Sequence, residues 1–435
     1  MQNIVIVGGG AGGLELATRL GRAKFAHVTL IDRERTHLWK PLLHEVATGT
    51  LDDGVDALSY RAHCARVGVR FHLGQVIGMD QERRELMLAP MLGTHGEEVR
   101  HARRVSFDTL VWAVGAHSND FGIAGVREYC HSLDSSSQAQ AFHLELLNRF
   151  LHLQEEGKDD EHVTVAIVGA GATGVELAAE LFNAAEMLAH YGVERAGRKG
   201  LRVLLVEAAG RVLPALPEAM SQRAQAVLEN LGVALHLNTA VQAVESHGVL
   251  TKDGTLLGAD LVVWAAGIQA PSFLARLGLP VNRIHQLEVE ADLRVKGEEA
   301  IYALGDCSCL REAPSSAVPA GRLVPPRAQA AHQMAKYLAQ RLIERARRPN
   351  SRRKVKPFAY HDHGSLVSLA DYQTLGSVMD DVMHGRFLIE GPMARTAYLS
   401  LYRQHQLTLH GPWRTALMML TSGMHQWIRP SIKLY

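Results

Sequence analysis

Cysteine is scarce in this chain of 435 residues, and its spacing excludes several kinds of chemistry. The four cysteines are Cys64, Cys130, Cys307 and Cys309, and no C-x-x-C or C-x-x-x-x-C pair occurs. Thiols at these spacings form neither a disulfide framework nor a zinc-binding pattern. A reducing compartment such as the cytoplasm is therefore the expected setting, and no metal site is predicted.

Long apolar runs and an excess of one charge are absent as well. No apolar stretch reaches the roughly 18 residues that a spanning helix needs, so no such helix is predicted. The formal net charge of +1 gives no overall attraction to nucleic acid, and no nucleic-acid partner is expected. Because residues 3–7 already have the pattern of a strand, no room remains ahead of them for an export signal.

A glycine motif, by contrast, occurs twice. Each copy follows a β-branched strand, opens an apolar helical run, and is followed by an apolar strand that ends in a carboxylate. In such a motif the first glycine permits a tight turn, the second lets the backbone approach a pyrophosphate, the third lets the helix pack on the strand, and the acid binds a ribose diol. Two matches predict two bound dinucleotides. The residues are Gly8, Gly10, Gly13 and Asp32 in the first copy, and Gly169, Gly171, Gly174 and Glu207 in the second.

The chain is expected to be an α/β protein with two Rossmann-type dinucleotide-binding domains. The segments Leu-Val-Trp-Ala-Val-Gly and Leu-Val-Val-Trp-Ala-Ala-Gly stand in matching places of the two units, and the second ends at Gly267. The longer interval between glycines and acid in the second unit predicts a longer helix there. The chain then returns to the first unit through a strand ending at Gly305 and Asp306. The expected divisions are 1–155 and 276–345 for the first domain, 156–275 for the second, and 346–435 for a C-terminal helical region.

Three longer motifs give the chain a resemblance to a known family. They are the segment His37–Gly49 (His-Leu-Trp-Lys-Pro-Leu-Leu-His-Glu-Val-Ala-Thr-Gly), the continuation of the second glycine motif to Glu180, and the segment Ala328–Gln333 (Ala-Gln-Ala-Ala-His-Gln). With these motifs the chain resembles the two-dinucleotide flavoproteins, and specifically the type II NADH:quinone oxidoreductases, nearest to the enterobacterial type. The resemblance covers essentially the whole chain.

The resemblance implies that the first glycine motif holds FAD and the second holds NADH. Glu207 at the ribose position repels a 2′-phosphate, which favours NADH over NADPH, although Arg211 lies close in sequence. The residues expected at FAD are Gly8, Gly10, Gly13, Asp32, Gly305 and Asp306, and those expected at NADH are Gly169, Gly171, Gly174, Glu207 and Gly267. The helix that starts near Arg327 is expected to direct its positive end at the flavin.

Three residues are candidates for the catalytic site. Gln329 and Gln333 lie one helical turn apart and are similar to the family's Ala-Gln-x-Ala-x-Gln motif, so the resemblance implies amide contacts to a quinone carbonyl. The alternative is a pair of solvated helix glutamines. Glu176 lies in the first helical turn after the second glycine motif, and the resemblance makes it a candidate for positioning NADH or relaying a proton. Its alternative role is only to favour the helix dipole.

The implied reaction is NADH:quinone oxidoreduction without proton pumping. A hydride passes from NADH to FAD, and two electrons then reduce a membrane quinone, ubiquinone or menaquinone. Two alternatives stay open. A sulfide:quinone oxidoreductase needs separated cysteines, and this chain has none near residue 160 or after Cys309. A flavin-bearing binding protein with slow NADH turnover is the other. The Cys307-Ser308-Cys309 segment has no third ligand motif and is not predicted to bind a metal.

The C-terminal segment has an amphipathic pattern. From Ala394 to Tyr435 the chain has five basic residues and no Asp or Glu. One helical face carries Trp413, Leu417, Leu420, Met424, Trp427 and Ile428. Basic and aromatic residues in this arrangement are typical of an interfacial helix, so we expect a peripheral protein on the cytoplasmic side of the inner membrane. The alternative is a helix that packs on the body or on a second subunit in a homodimer.

Overall fold

The structure is a computed structural model that describes residues 1–156, 158, 161–312, 321–348, 356–370, 372–380, 385–390, 392–428 and 432–433. Side chains belong to this description except at 55, 56, 156, 373, 376–380, 385–390, 392–399, 401 and 422–428. All structural statements below concern these residues.

The helices alternate with strands along most of the chain. In chain order the α-helices are α1 (Ala11–Ala23), α2 (Leu43–Thr48), α3 (Asp53–Asp56), α4 (Tyr60–Val67), α5 (Val126–Tyr129), α6 (Ser136–Glu156), α7 (Ala172–His190), α8 (Glu218–Leu231), α9 (Ala328–Arg347), α10 (Pro392–His410) and α11 (Pro412–Ile428). Short 3-10 helices occupy Lys40–Leu42, Arg198–Gly200, Ser272–Arg276 and Gly305–Cys307.

The strands are short, and the two large sheets combine strands that are neighbours along the chain with strands that are distant in sequence. In chain order they are β1 (Gln2–Val7), β2 (Ala26–Asp32), β3 (Thr36–His37), β4 (Leu58–Ser59), β5 (Arg70–Leu73), β6 (Val76–Asp80), β7 (Glu85–Leu88), β8 (Met91–Leu92), β9 (Glu98–Arg100), β10 (Arg103–Ser106), β11 (Thr109–Trp112), β12 (His117–Ser118), β13 (Cys130–Ser132), β14 (Val163–Val168), β15 (Leu201–Val206), β16 (Ala234–His236), β17 (Val241–Glu245), β18 (Gly248–Thr251), β19 (Leu256–Gly258), β20 (Leu261–Trp264), β21 (Ile268–Gln269), β22 (Leu287–Glu288), β23 (Ile301–Ala303), β24 (Ser308–Cys309), β25 (Ser365–Leu369), β26 (Gln373–Asp380) and β27 (Gly385–Glu390).

Two parallel five-stranded sheets form the body, and they repeat one topology. The first has the order β23-β11-β1-β2-β5, and the second has the order β13-β20-β14-β15-β16. Strands β1, β14 and β15 are runs of β-branched and leucine residues buried on both faces, as helices on both sides of a parallel sheet require. The repeated glycine motifs therefore lie at equivalent places, where β1 enters α1 and β14 enters α7.

The second glycine motif opens the longer helix, as its spacing predicts. Helix α7 has 19 residues and α1 has 13. The extra chain after α7 forms a loop with the 3-10 helix Arg198–Gly200 before β15 begins. The two-domain α/β fold expected from the sequence is thereby confirmed.

The chain passes from the first unit to the second before residue 155, where the boundary was expected. Strand β13 pairs with β20 of the second sheet, and α6 packs in the core of that unit through Phe142, Leu146 and Phe150. The chain crosses earlier because β13, only three residues long, has no pattern that distinguishes it from a loop. The chain leaves the first unit through β12 and comes back to it through β21, and these two strands pair antiparallel to each other. Strand β23 then pairs with β11 at the edge of the first sheet.

The C-terminal region is not only helical, as was expected for 346–435. Strands β25, β26 and β27 form an antiparallel sheet before α10 and α11. Leu369 and Leu375 of this sheet join the core of the second unit. This sheet was not predicted, because its strands follow a basic segment and do not alternate in a simple two-residue period. Within the described residues, no helix has the length and apolar character needed to cross a bilayer.

Candidate active site

The first glycine turn has the geometry of a phosphate-binding loop. Gly8 has φ of +101°, a conformation that side chains rarely adopt, and a Cβ at Gly13 would lie 1.9 Å from the Gly8 carbonyl oxygen. A Cβ at Gly10 would meet nothing within 4 Å, so the backbone there faces open space. Helix α1 begins without a capping side chain and without an acid in its first turn. Its free N–H groups can therefore bind an anion.

Asp32, at the end of β2, is hydrogen-bonded to this turn. Its Oδ2 accepts the backbone N–H of Gly9 at 2.6 Å, and its Oδ1 accepts that of Glu34 at 2.8 Å. Burial raises the pKa of Asp32, whereas these two hydrogen bonds act in the opposite direction. The carboxylate is thus held beside the open face of Gly10, where a ribose diol would lie.

The second turn repeats this geometry. Gly169 has φ of +106°, a Cβ at Gly174 would lie 1.9 Å from the Gly169 carbonyl oxygen, and Gly171 faces open space. Glu207 accepts the N–H of Ala170 at 2.7 Å and that of Ala209 at 2.8 Å. Both turns therefore fit a dinucleotide, with an uncapped helix N-terminus for the pyrophosphate and a fixed carboxylate for the ribose.

Two further residues named from the sequence border the second turn. Arg211 donates through Nη2 to the carbonyls of Pro214 and Leu216, at 2.8 and 3.0 Å, so this group has a structural role. Gly267 follows β20 with φ of +63°, and a Cβ there would lie 2.3 Å from Cζ of Phe121. The left-handed backbone conformation therefore favours glycine at 267, while the exposed Phe121 ring could move to make room for a side chain.

The second half of the first site is formed by the return to the first sheet. Strand β23 leads into the 3-10 helix at Gly305–Cys307, and Gly305 has φ of +71°. Burial raises the pKa of Asp306, and the nearby Lys40 ammonium opposes the rise. Lys40 is held in place by donating to the Ala116 carbonyl at 2.7 Å. Helix α9 starts beside Gly305 with no acid in its first turn, so its positive end is free to face a flavin ring.

Each glycine motif is followed by a buried glutamate, two residues after the last glycine. Glu15 accepts Arg19 Nη2 at 2.6 Å, and its second oxygen lies 2.7 Å from His332 Nδ1. Glu176, at the equivalent place in α7, instead accepts the backbone N–H of Ser368 at 3.1 Å. The sequence analysis did not identify the duplication of this glutamate, although the spacing is the same in both copies.

Glu176 faces His44 of α2 across the junction of the two units. Its Oε2 lies 3.8 Å from His44 Nδ1, and both residues are buried. Burial raises the pKa of Glu176 to about 8, and the carboxylates of Glu45 and Glu180 add to the rise. Burial lowers the pKa of His44 to about 4. At pH 7 this pair therefore holds a proton on the glutamate, beside a neutral imidazole.

The two candidate glutamines have different surroundings. Gln333 donates to the His361 carbonyl at 2.7 Å and accepts the His361 N–H at 3.0 Å, so both ends of its amide are used by the fold. Gln329 accepts the hydroxyl of Tyr360 at 2.6 Å. The structure gives the Gln329 amide nitrogen no hydrogen bond within the described residues. Tyr360 was not predicted from the sequence, because the short apolar run Phe358-Ala359-Tyr360 shows no sign of the distant contact with Gln329.

The cysteines have no catalytic environment. Burial raises the pKa of Cys64, Cys130 and Cys307 to about 12, so these thiols are poor nucleophiles at neutral pH. Cys307 donates to the carbonyls of Leu304 and Trp112. In the described part of the chain, no three His, Cys, Asp or Glu residues are grouped to hold a metal ion.

The comparisons with known proteins agree with this geometry. A family model described as pyridine nucleotide-disulphide oxidoreductase matches residues 2–335. The type II NADH:quinone oxidoreductase of Haemophilus influenzae is 44% identical, over 100% of both chains. The structure of NDH2 from Plasmodium falciparum in complex with NADH has a TM-score of 0.83 at 20% identity and covers 99% of this chain and 100% of that one. Sulfide:quinone oxidoreductase from Aquifex aeolicus has a TM-score of 0.72 at 15% identity, with 99% and 96% covered.

Twin parallel sheets with two dinucleotide turns define a flavoprotein of the pyridine nucleotide-disulphide oxidoreductase class. Within that class, the chain belongs to the type II NADH:quinone oxidoreductases, and it is an FAD-dependent enzyme. This confirms the resemblance predicted from the motifs. The two solved structures, at their low identities, establish the shared fold.

The glycines of the second turn provide a matched pair of substitutions. Gly174→Ala should lower the melting temperature by several degrees, because its Cβ would force α7 away from the Gly169 carbonyl. Gly171→Ala should leave the melting temperature unchanged but raise the KM for NADH about tenfold, an effect of ~1.4 kcal/mol, because its methyl group enters the open face. Thermal unfolding and steady-state reduction of ferricyanide measure both effects. A destabilised Gly171→Ala protein with a normal KM would contradict this assignment.

Proposed function

We propose that the chain oxidises NADH and reduces a membrane quinone at a membrane surface, with FAD at the first glycine turn and NADH at the second. The observation that supports this most directly is the duplicated turn with its carboxylate, in a member of a family of NADH:quinone oxidoreductases. FAD supplies the chemistry that accepts a hydride from NADH and gives two electrons to the quinone. The protein itself binds and orients NADH and the quinone, and it holds the one proton that the reaction consumes.

The NADH side of the proposal rests on Glu207. Its two oxygens accept backbone N–H groups at 2.7 and 2.8 Å, so the carboxylate cannot turn away from a bound ribose. A 2′-phosphate at the same place would meet this negative charge. Since Arg211 is bonded to the carbonyls of Pro214 and Leu216, we propose NADH as the electron donor.

Gln329 is our candidate for the quinone contact. Tyr360 fixes its oxygen, which leaves the amide N–H group as the donor for a quinone carbonyl. It lies in the first turn of α9, next to the helix terminus that faces the flavin site. Gln333, by contrast, holds the backbone of residue 361 in place, so we assign it a supporting role.

Gln329→Leu should reduce kcat/KM for a soluble quinone about tenfold, the loss of ~1.4 kcal/mol of hydrogen bonding. Ferricyanide reduction should be unchanged, because this acceptor offers no carbonyl. Gln333→Leu is the matched control, and it should lower the melting temperature with a smaller effect on quinone turnover. Equal losses with both acceptors in Gln329→Leu would rule out the quinone contact.

Glu176 is proposed to hold the proton that quinone reduction consumes. The overall reaction of NADH and a quinone takes up one proton from the medium, in addition to the hydride. The protonated Glu176 lies in α7 just after the second glycine turn and beside the neutral His44 of α2, and the Ser368 N–H fixes the glutamate. A raised pKa keeps this proton available at pH 7 and removes it as the pH rises through about 8.

Quinone turnover in the unmodified enzyme should therefore decline as the pH rises through about 8, while ferricyanide reduction, which needs no proton, should not. Glu176→Gln keeps the acceptor for Ser368 but loses the acid, so its quinone turnover should be low and flat between about pH 7 and 9. Glu180→Gln, one helical turn further, is the matched comparison: it should keep normal quinone turnover at pH 7 but shift the decline to lower pH, because the Glu180 carboxylate contributes to the raised pKa of Glu176. A normal profile in Glu176→Gln would refute the role.

Helix α11 is proposed to lie on the cytoplasmic side of the inner membrane. Its outer face is apolar, with exposed fractions of 88% for Trp413, 62% for Leu417 and 68% for Leu420, while Thr415 is buried beneath it. An exposed patch of this kind marks a membrane or protein interface. The basic and acid-free segment favours anionic lipid. The side chains of Met424, Trp427 and Ile428, predicted to share this face, lie outside the described residues, although the helical backbone continues through them.

The double variant Trp413→Ser, Leu417→Ser should bind vesicles of anionic phospholipid at least tenfold more weakly, because each change removes roughly 1.5 kcal/mol or more of apolar burial. Ferricyanide reduction should be unaffected. The control is Leu92→Ser, Val99→Ser, which removes exposed apolar residues from the β8-β9 hairpin. Normal vesicle binding by the first variant, combined with a change from dimer to monomer in solution, would assign α11 to a subunit interface instead.

A further inference from the structure

Two buried histidines connect helix α10 to the first glycine turn. His37 Nδ1 lies 3.0 Å from the Gly9 carbonyl oxygen, and His37 Nε2 lies 3.0 Å from His405 Nε2 in α10. His37 is 6% exposed and His405 is 3% exposed. The three groups therefore form a chain of hydrogen bonds between two elements that are far apart in sequence, and solvent does not compete for them.

The chemistry of the carbonyl fixes the direction of every bond in this chain. A carbonyl only accepts, so His37 Nδ1 must carry a proton and donate to Gly9. Burial lowers the pKa of His37 to about 4, so its ring is neutral at pH 7 and Nε2 is unprotonated. His405 must then donate from Nε2 to His37. The first donor of this series of hydrogen bonds, His405, thus lies on α10, and the final acceptor, the Gly9 carbonyl, lies in the first glycine turn.

Other contacts hold α10 in this position. The Trp39 ring packs on His405 with 4.4 Å between ring centroids. Arg22, in the last turn of α1, donates to the carbonyls of Thr408 and Leu409 at 2.8 and 2.9 Å. These carbonyls belong to the last turn of α10 and have no partner within that helix, so Arg22 caps it. Helix α10 is therefore fixed at its C-terminal end against α1, the helix of the first turn.

Both peptide groups that flank Gly9 are held by hydrogen bonds. The Gly9 N–H, in the Gly8–Gly9 peptide, donates to Asp32. The Gly9 carbonyl, in the Gly9–Gly10 peptide, accepts from both His37 and the hydroxyl of Tyr60, the latter at 2.7 Å. Any rotation of the Gly9–Gly10 peptide would also move the Gly10 N–H, at the open face where a pyrophosphate would lie. The orientation of this peptide therefore sets how well the turn fits a phosphate.

We propose that His405 is a positioning residue of the FAD site, which acts through His37 on the Gly9 peptide and thereby makes FAD retention depend on the seating of helix α10. The proposal rests on the assignment of FAD to the first turn. It does not depend on what the outer face of α11 contacts.

The charged and titratable groups around His405 keep it neutral. Burial lowers the pKa of His405 well below its usual value, and the nearby imidazoles of His37, His332, His410 and His63 add to this effect. Arg66 of α4 binds the ring nitrogens of His63 and His410. Because these surroundings keep the His405 ring neutral, the ring has a single N–H group, and this group donates to His37.

The test uses the full-length FAD-loaded enzyme and follows the fluorescence of FAD as it is released after dilution. His405→Phe keeps a ring against Trp39 but removes the donor, and it should release FAD roughly fivefold faster, as expected for the loss of one neutral hydrogen bond. His405→Gln can place an amide N–H where Nε2 stood and should release FAD at the normal rate. His405→Asn cannot reach that point and should behave like the phenylalanine variant.

The Gln and Asn variants keep the proposal testable even if His405→Phe does not fold, because they differ by one methylene group. His143→Phe is the matched control: it removes another buried histidine, 3.0 Å from the Lys433 carbonyl, and should not change FAD release. In combination with His37→Asn, whose shorter side chain cannot place an acceptor where Nε2 stood, His405→Phe should add nothing further.

Equal release rates in the Gln and Asn variants, or additive effects of His37→Asn and His405→Phe, would overturn the proposal. Asp32→Ala separates this failure from failure of the FAD assignment. If Asp32→Ala loses FAD while His405→Phe keeps it normally, only the histidine link is wrong. If Asp32→Ala also keeps FAD at the normal rate, FAD is not bound at the first turn.

Discussion

A carboxylate bound to two backbone N–H groups is the constraint on which both dinucleotide turns depend. Asp32 joins the end of β2 to the turn after β1, and Glu207 joins the end of β15 to the turn after β14. This works only because the neighbouring strands are in register, with Gly8 and Gly169 donating to the carbonyls of Ile31 and Val206. This constraint sets the direction in which α1 and α7 leave the turns. It therefore also sets which helix faces are available to other elements. Helices α9 and α10 pack on α1, whereas α2 and β25 pack on α7.

The parts of the fold that the sequence predicts are those governed by local patterns. Apolar strands, glycine turns and helix length depend on neighbours within about twenty residues, and β1, β14, α7 and α11 lie where the patterns indicate. The expected roles of Gly10, Gly13, Gly171 and Gly174 agree with the space around each of them. Such features follow from steric rules that apply to any chain with the same spacing.

The parts that the sequence does not predict depend on contacts between distant residues. His37 and His405 are 368 positions apart, and Tyr360 reaches Gln329 from a segment without a recognisable pattern. The placement of β13 in the second sheet depends on its pairing with β20, because three residues have too little periodicity to reveal it. Gln333 illustrates the same limit within a recognised motif. Its position predicts a ligand contact, and only the fold shows that its amide holds the backbone of His361.

The pairing of β12 with β21 has a mechanical consequence. The second unit is inserted into the first, so the chain must cross between them in both directions, and the two crossings are hydrogen-bonded side by side. The Trp264 indole N–H, donated to the Asn119 carbonyl at 2.8 Å, adds a third tie at the same place. Two crossings that are paired in this way restrict rotation of one unit against the other more than a single linker would, because twisting them would break the hydrogen bonds that join β12 to β21.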